Sequence, residues 1–147
     1  ILIIIFSLYC LALCYFSFFK SVPANGLWID HIKKSVNFIP FRSICDYITR
    51  FADGKVNQTT FLINIFGNIA AFVPMGFFIP NIFRKINTFA KSILVCLSIV
   101  VCVEIIQLVT MVGSFDIDDI ILKLSGCILG YGLYRIKPIY NFFQKYN

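Results

Sequence analysis

The sequence predicts an all-α membrane protein, a four-transmembrane-helix bundle with a short amphipathic helix in its first outer loop. Three observations lead there. Of 147 residues, 59% are apolar and only 14% are charged, a balance far from that of soluble globular domains. Long runs with little or no charge recur along the chain. Between the first two of them, apolar residues take the spacing of a helix with one greasy face.

The first run, residues 1–19, holds no charged side chain, and a helix of that length rises through roughly 30 Å, the thickness of a hydrocarbon core. Its length and the lack of a small-x-small cleavage pattern favour an anchor over a signal peptide. The outer loop, 20–60, follows. Within it Ile44, Tyr47, Ile48 and Phe51 recur at i, i+3, i+4 and i+7, with Arg42, Asp46, Arg50 and Asp53 between them. Such a helix suits the membrane interface, with Trp28 as a further anchor, or equally the outer surface of the bundle. The second run, 61–80, is uncharged. Pro74 within it removes a backbone donor and frees the carbonyl of Ala70, so a kink is expected close to Asn68. The third run, 92–113, contains Glu104, and the fourth, about 119–136, is short and contains Lys123.

Four spans put both termini and the 81–91 loop on one side of the membrane. Arg84, Lys85, Lys91, Arg135, Lys137 and Lys145 lie there without an acid. On the other side Lys20, Lys33, Lys34, Arg42, Arg50 and Lys55 are spread more thinly and diluted by Asp30, Asp46 and Asp53. The positive-inside rule then makes the first side cytoplasmic, so the chain is read as a multi-pass membrane protein with both termini cytoplasmic. The net charge of +6 is explained by these flanking residues, and no glycine-rich phosphate loop or basic-aromatic surface points to nucleic acid. The six cysteines contain no C-x-x-C pair, and His31 reads as a solvated loop side chain.

Polar residues inside the runs carry the functional signal, since a charge at mid-bilayer costs on the order of 3 kcal/mol and needs a partner or a wet cavity. Glu104 falls roughly 9 Å below the outer boundary, at 1.5 Å per residue, with Gln107 one turn further out. Asn64 and Asn68 sit one turn apart on the second run, sharing a stripe with Gly67 and Ala71. Asp119, Lys123, Gly126 and Gly130 line up on the fourth, behind the acids of "GSFDIDD", Asp116, Asp118 and Asp119. These side chains are expected at comparable depth, forming a half-open polar pocket near the outer leaflet in which Lys123 neutralises Glu104 or Asp119. A purely structural account competes with this. Ser114 or Asp116 can cap the fourth helix, and the amides can be hydrogen-bonded glue between helices.

The segments "NFIPF" (37–41), "NIFGNIAAFVPMGFFIP" (64–80), "EIIQLV" (104–109), "GSFDIDDIIL" (113–122) and "GCILGY" (126–131), in that order, resemble the VanZ-like family of bacterial membrane proteins. The resemblance covers roughly residues 37–134 and marks Asn37, Pro40 and Phe41 as an outer-loop motif. Lys123 departs from it, standing where the family pattern usually has Asn. The resemblance implies an association with resistance to glycopeptide antibiotics, teicoplanin in particular. The chain is therefore expected to bind a lipid-linked envelope precursor or a lipidated glycopeptide at the outer leaflet, more as a binding protein than as an enzyme. The alternative is an enzyme acting on a lipid-linked envelope substrate, with Glu104, Asp116, Asp118 and Asp119 as candidate ligands of a divalent cation, which prefers oxygen donors. No histidine lies near Ser114 or Ser125 to activate a nucleophile. A small transporter or channel subunit is a third reading, weakened by the lack of internal repeats.

Overall fold

Each apolar run is helical in the computed structural model of the chain, which describes residues 1–19, 29, 30, 32 and 35–136. Helix α1 (Leu2–Cys14) continues into a π turn, Tyr15–Phe19. The amphipathic segment forms α2 (Arg42–Ala52). The long helix α3 (Gln58–Ile82) contains a second π turn, Ile63–Gly67. It is followed by α4 (Phe89–Val109) and α5 (Ile117–Arg135). The chain is thus mostly helical, with five principal helices among the described residues.

Two of them, Gln58–Ile82 and Phe89–Val109, are long and apolar enough to cross a membrane, and Leu2–Phe18 is apolar but shorter. Helix α5 falls short of that standard because Asp118, Asp119 and Lys123 lie within it. The third run overshoots its helix. Thr110 ends α4, Met111 turns to φ 59°, and the N–H groups of Val112 and Gly113 fold back onto the carbonyl of Gln107 at 3.1 and 3.2 Å. Met111 and Val112 are apolar, so hydropathy alone cannot see this stop. Pro74 lies inside the continuous α-helical stretch Asn68–Ile82, and the irregularity of α3 is the π turn directly before Asn68, a device that shifts the helix register and frees backbone groups.

Packing centres on α3 and α5. Gly126 and Gly130 let the two backbones approach so closely that a Cβ at either position would overlap the carbonyl of Ile69 or Val73. Small residues at such a crossing give van der Waals contact that larger side chains prevent. Helix α4 turns one stripe inward, Ser92, Cys96, Val100 and Glu104, all spaced by four residues. The core is Phe72, Met75, Ile79, Cys96, Val100, Ile120 and Cys127, with Phe6, Tyr9 and Leu13 of α1 packed against it. Tyr9 Oη donates to the carbonyl of Ala71 at 2.8 Å, one turn before Pro74 in α3. The outside is apolar, with Ile4, Leu11, Leu94, Val109 and Leu129 among the exposed residues. In water such a belt would cost heavily; in lipid it costs nothing.

Two loops meet at one end of the bundle. Strand β1 (Val36–Asn37) pairs in parallel with β2 (Phe115–Asp116), in the register Val36 to Phe115 and Asn37 to Asp116. At the opposite end the turn after α3 is tied down by Ser92 Oγ, which donates to the carbonyl of Ile86 at 2.5 Å, and by Tyr131 Oη, which donates to that of Asn87 at 3.0 Å. Trp28 and His31 lie outside the described residues, as do Lys20, Lys33, Lys34, Lys137 and Lys145.

Candidate functional site

The loop end of the bundle divides the three aspartates between two tasks. Asp116 is the N-cap of α5: its carboxylate accepts from the N–H of Asp118 at 2.9 Å. The same carboxylate accepts from Asn37 Nδ2 at 3.0 Å and from the hydroxyl of Ser43. Asp118, 1% exposed, accepts from the N–H of Phe41 at 2.5 Å and that of Ile44 at 3.1 Å.

Those two N–H groups belong to the start of α2, whose N-cap Phe41 supplies no side-chain cap. A helix start leaves such donors unsatisfied and carries partial positive charge, so a carboxylate there is favourable. Here the cap comes from a different helix. The "NFIPF" segment explains the geometry. Pro40 precedes Phe41, which stands at φ 64°, ψ 1°, and Arg42 N–H reaches the carbonyl of Ile39 at 3.4 Å. This is a type II turn with proline at its second position and a left-handed residue at its third. Asn37 Oδ1 also accepts from the N–H of Ile39 at 3.1 Å, which fixes the approach to the turn. Asn37, Pro40 and Phe41 are therefore one half of a clasp, and Asp116 and Asp118 are the other.

This corrects the expectation that all three acids stand at the mouth of the pocket. Asp116 and Asp118 point onto the first loop because unsatisfied backbone and amide donors await them there. The candidate cation ligands do not assemble either. Among the described residues no group of three or more His, Cys, Asp or Glu comes together in a way that could hold a metal, and Glu104 is held by Lys123 instead.

Asp119 alone of the three enters a recess of about 570 Å³, together with Asn64, Asn68, Gln107 and Lys123. Apolar walls come from α1 and α3, through Leu13, Phe16, Ile63 and Phe72. Asn68, on the first turn after the π segment, donates from Nδ2 to Asp119 Oδ1 at 3.0 Å and to the carbonyl of Asn64 at 2.9 Å. Asn64 donates to the carbonyl of Thr60 at 2.8 Å, and Gln107 to that of Ser17 in the π turn of α1 at 3.1 Å. Lys123 and Glu104 form an ion pair whose side chains are 6% and 0% exposed. The ammonium also lies 5.7 Å from the centre of the Phe72 ring. Glu104 Oε2 has no hydrogen-bond partner among the described residues.

Sequence reasoning did not single out Ser43, Ser17 or Tyr47 for this end of the molecule. Tyr47 belonged to the amphipathic stripe of α2 and proves to line the recess. Its hydroxyl is pushed up from its ordinary value by burial first and then by the carboxylates of Asp119 and Asp116, so it remains a hydrogen-bond donor at neutral pH. A second polar depression of about 550 Å³, lined by Arg42, Ser43, Asp46 and Ser114, adjoins Asn37 and Asp116 of the clasp.

The family model described as VanZ/LLP1 matches residues 6–138, which include the clasp, the residues of the recess and all of α2 to α5. No curated protein and no solved structure matches the chain.

Proposed function

The chain belongs to the VanZ/LLP1 family, and from that membership together with the recess we propose that it binds the polar part of a lipid-linked or lipidated envelope molecule and so contributes to glycopeptide resistance. In this reading it is a multi-pass membrane protein with α1, α3, α4 and α5 as its spans and the clasped loops on the outer face. The observation that carries it is the composition of the recess, in which amides and charges on the floor meet apolar walls from α1 and α3. Such a site accepts a head group while the attached chain stays in lipid, because each part then keeps the surroundings that cost it least. A ligand of this kind reaches the site laterally past Phe16 and Ile63, which are 60% and 63% exposed.

Catalysis is the weaker reading. Asp119 can act as a base, but among the described residues it meets no histidine and no assembled cation site, and the hydroxyls that line the recess, Ser17, Tyr47 and Ser114, make no hydrogen bond to it. The test is a deletion strain carrying either the wild-type gene or an Asn68→Ala, Asp119→Asn copy, scored for membrane abundance and teicoplanin susceptibility together. The proposal expects the deletion and the variant to be equally susceptible at normal abundance of the variant. Unchanged susceptibility in the deletion strain removes the resistance role.

A further inference from the structure

The walls of the recess specify the charge of what fills it. Lys123 and Glu104 pair with each other, and both are shut away from solvent. Their charges offset each other, and Asp119 is the remaining charged side chain of the recess. Its carboxylate holds one hydrogen bond, from Asn68, and no ion pair among the described residues.

The neutral groups point the same way. Asn64, Asn68 and Gln107 all bind the protein through N–H groups, to Thr60, to Asn64 and Asp119, and to Ser17. An amide has acceptor capacity on its oxygen as well, and among the described residues no donor reaches the side-chain oxygen of any of the three. The cavity thus offers a carboxylate and three amide oxygens as acceptors, beside the hydroxyls of Ser17, Tyr47 and Ser114, in surroundings walled by apolar side chains.

We infer that the recess is an ammonium site: it takes the protonated primary amine of an amphiphile, with Asp119 as counter-charge and the side-chain oxygens of Asn64, Asn68 and Gln107 as acceptors. The inference rests on the binding role proposed above and adds the chemical class of the ligand. A primary ammonium carries three donors and no acceptor, and the carboxylate and amide oxygens are able to accept from all three. Phosphate and carboxylate head groups meet repulsion from Asp119, and their natural partner, Lys123, is already paired with Glu104.

The test uses the full chain purified in detergent and three probes of one chain length: dodecylammonium, dodecanol and dodecyl phosphate. The expected result is that dodecylammonium binds about tenfold or more tightly than dodecanol, the scale of one charge-assisted contact, with the phosphate weakest. Asp119→Asn, which keeps the shape of the side chain, should bring the ammonium-to-alcohol affinity ratio down to about one. Equal binding of ammonium and alcohol by the wild-type protein overturns the inference while leaving an amphiphile site intact; failure of all three probes to bind overturns the binding role as well. Competition with nanodiscs then separates sources. Displacement by ethanolamine lipid but not glycerol lipid assigns the amine to membrane lipid, displacement by neither assigns it to a single-chain amphiphile, and equal displacement by both contradicts a site selective for amines.

Discussion

At the level of single residues, a charge buried in the bundle requires a partner. Lys123 and Glu104 are tolerable inside the bundle only as a pair, since removing one partner strands the other and costs about 3–5 kcal/mol. Lys123→Met and Glu104→Leu are each expected to lower the unfolding temperature in detergent and the amount of protein in the membrane. The double variant should recover most of the loss, and additive losses would show that the two side chains do not interact. Asp118 makes a separable prediction. It caps α2 across the bundle through the N–H groups of Phe41 and Ile44, so Asp118→Ala should cost about 1–3 kcal/mol and speed hydrogen exchange in residues 41–45. Exchange that rises evenly through the whole chain would mean that the effect is not local.

Among the elements, the helices were legible in the sequence and their connections were not. Hydropathy located α1, α3 and α4 to within a few residues because lipid exposure demands uninterrupted apolar runs, and the period of Ile44, Tyr47, Ile48 and Phe51 located α2. The pairing of β1 with β2 involves two residues in each strand, too short for any periodicity to register. The division of labour among Asp116, Asp118 and Asp119 is hidden for a related reason. It depends on donors from residues 37–44, remote in sequence, whose positions are set only once the chain has folded. The glycines of α5 were legible, as a stripe that allows close helix approach, and they make a graded prediction. Gly126→Ala and Gly130→Ala should each destabilise the fold by about 1–3 kcal/mol or more through overpacking against α3. Gly132 has nothing within 4 Å of a would-be Cβ, so Gly132→Ala should be neutral or stabilising by up to about 1 kcal/mol. Thermal unfolding of the three variants side by side decides whether proximity to α3, rather than helix propensity, governs the response.

For the whole molecule, the clasp joins the loops of one end, and the orientation of that end decides what the recess can meet. Cys45 is an exposed cysteine on α2, a natural reporter of sidedness. If the clasped end faces outward, a membrane-impermeant maleimide should label intact cells, and Cys45→Ser should abolish that labelling; labelling only after permeabilisation would place this end in the cytosol and remove the proposed access to envelope molecules. The most direct test of the central claim is photo-crosslinking of the membrane-embedded protein with an alkylamine that carries a diazirine beside its amine, followed by mass mapping of the labelled peptides. Occupation of the recess predicts label concentrated at Leu13–Ser17 and Ile63–Phe72, and its suppression by excess unlabelled amine. Label spread instead over lipid-facing positions such as Leu94 and Leu129, and indifferent to competitor, would contradict it.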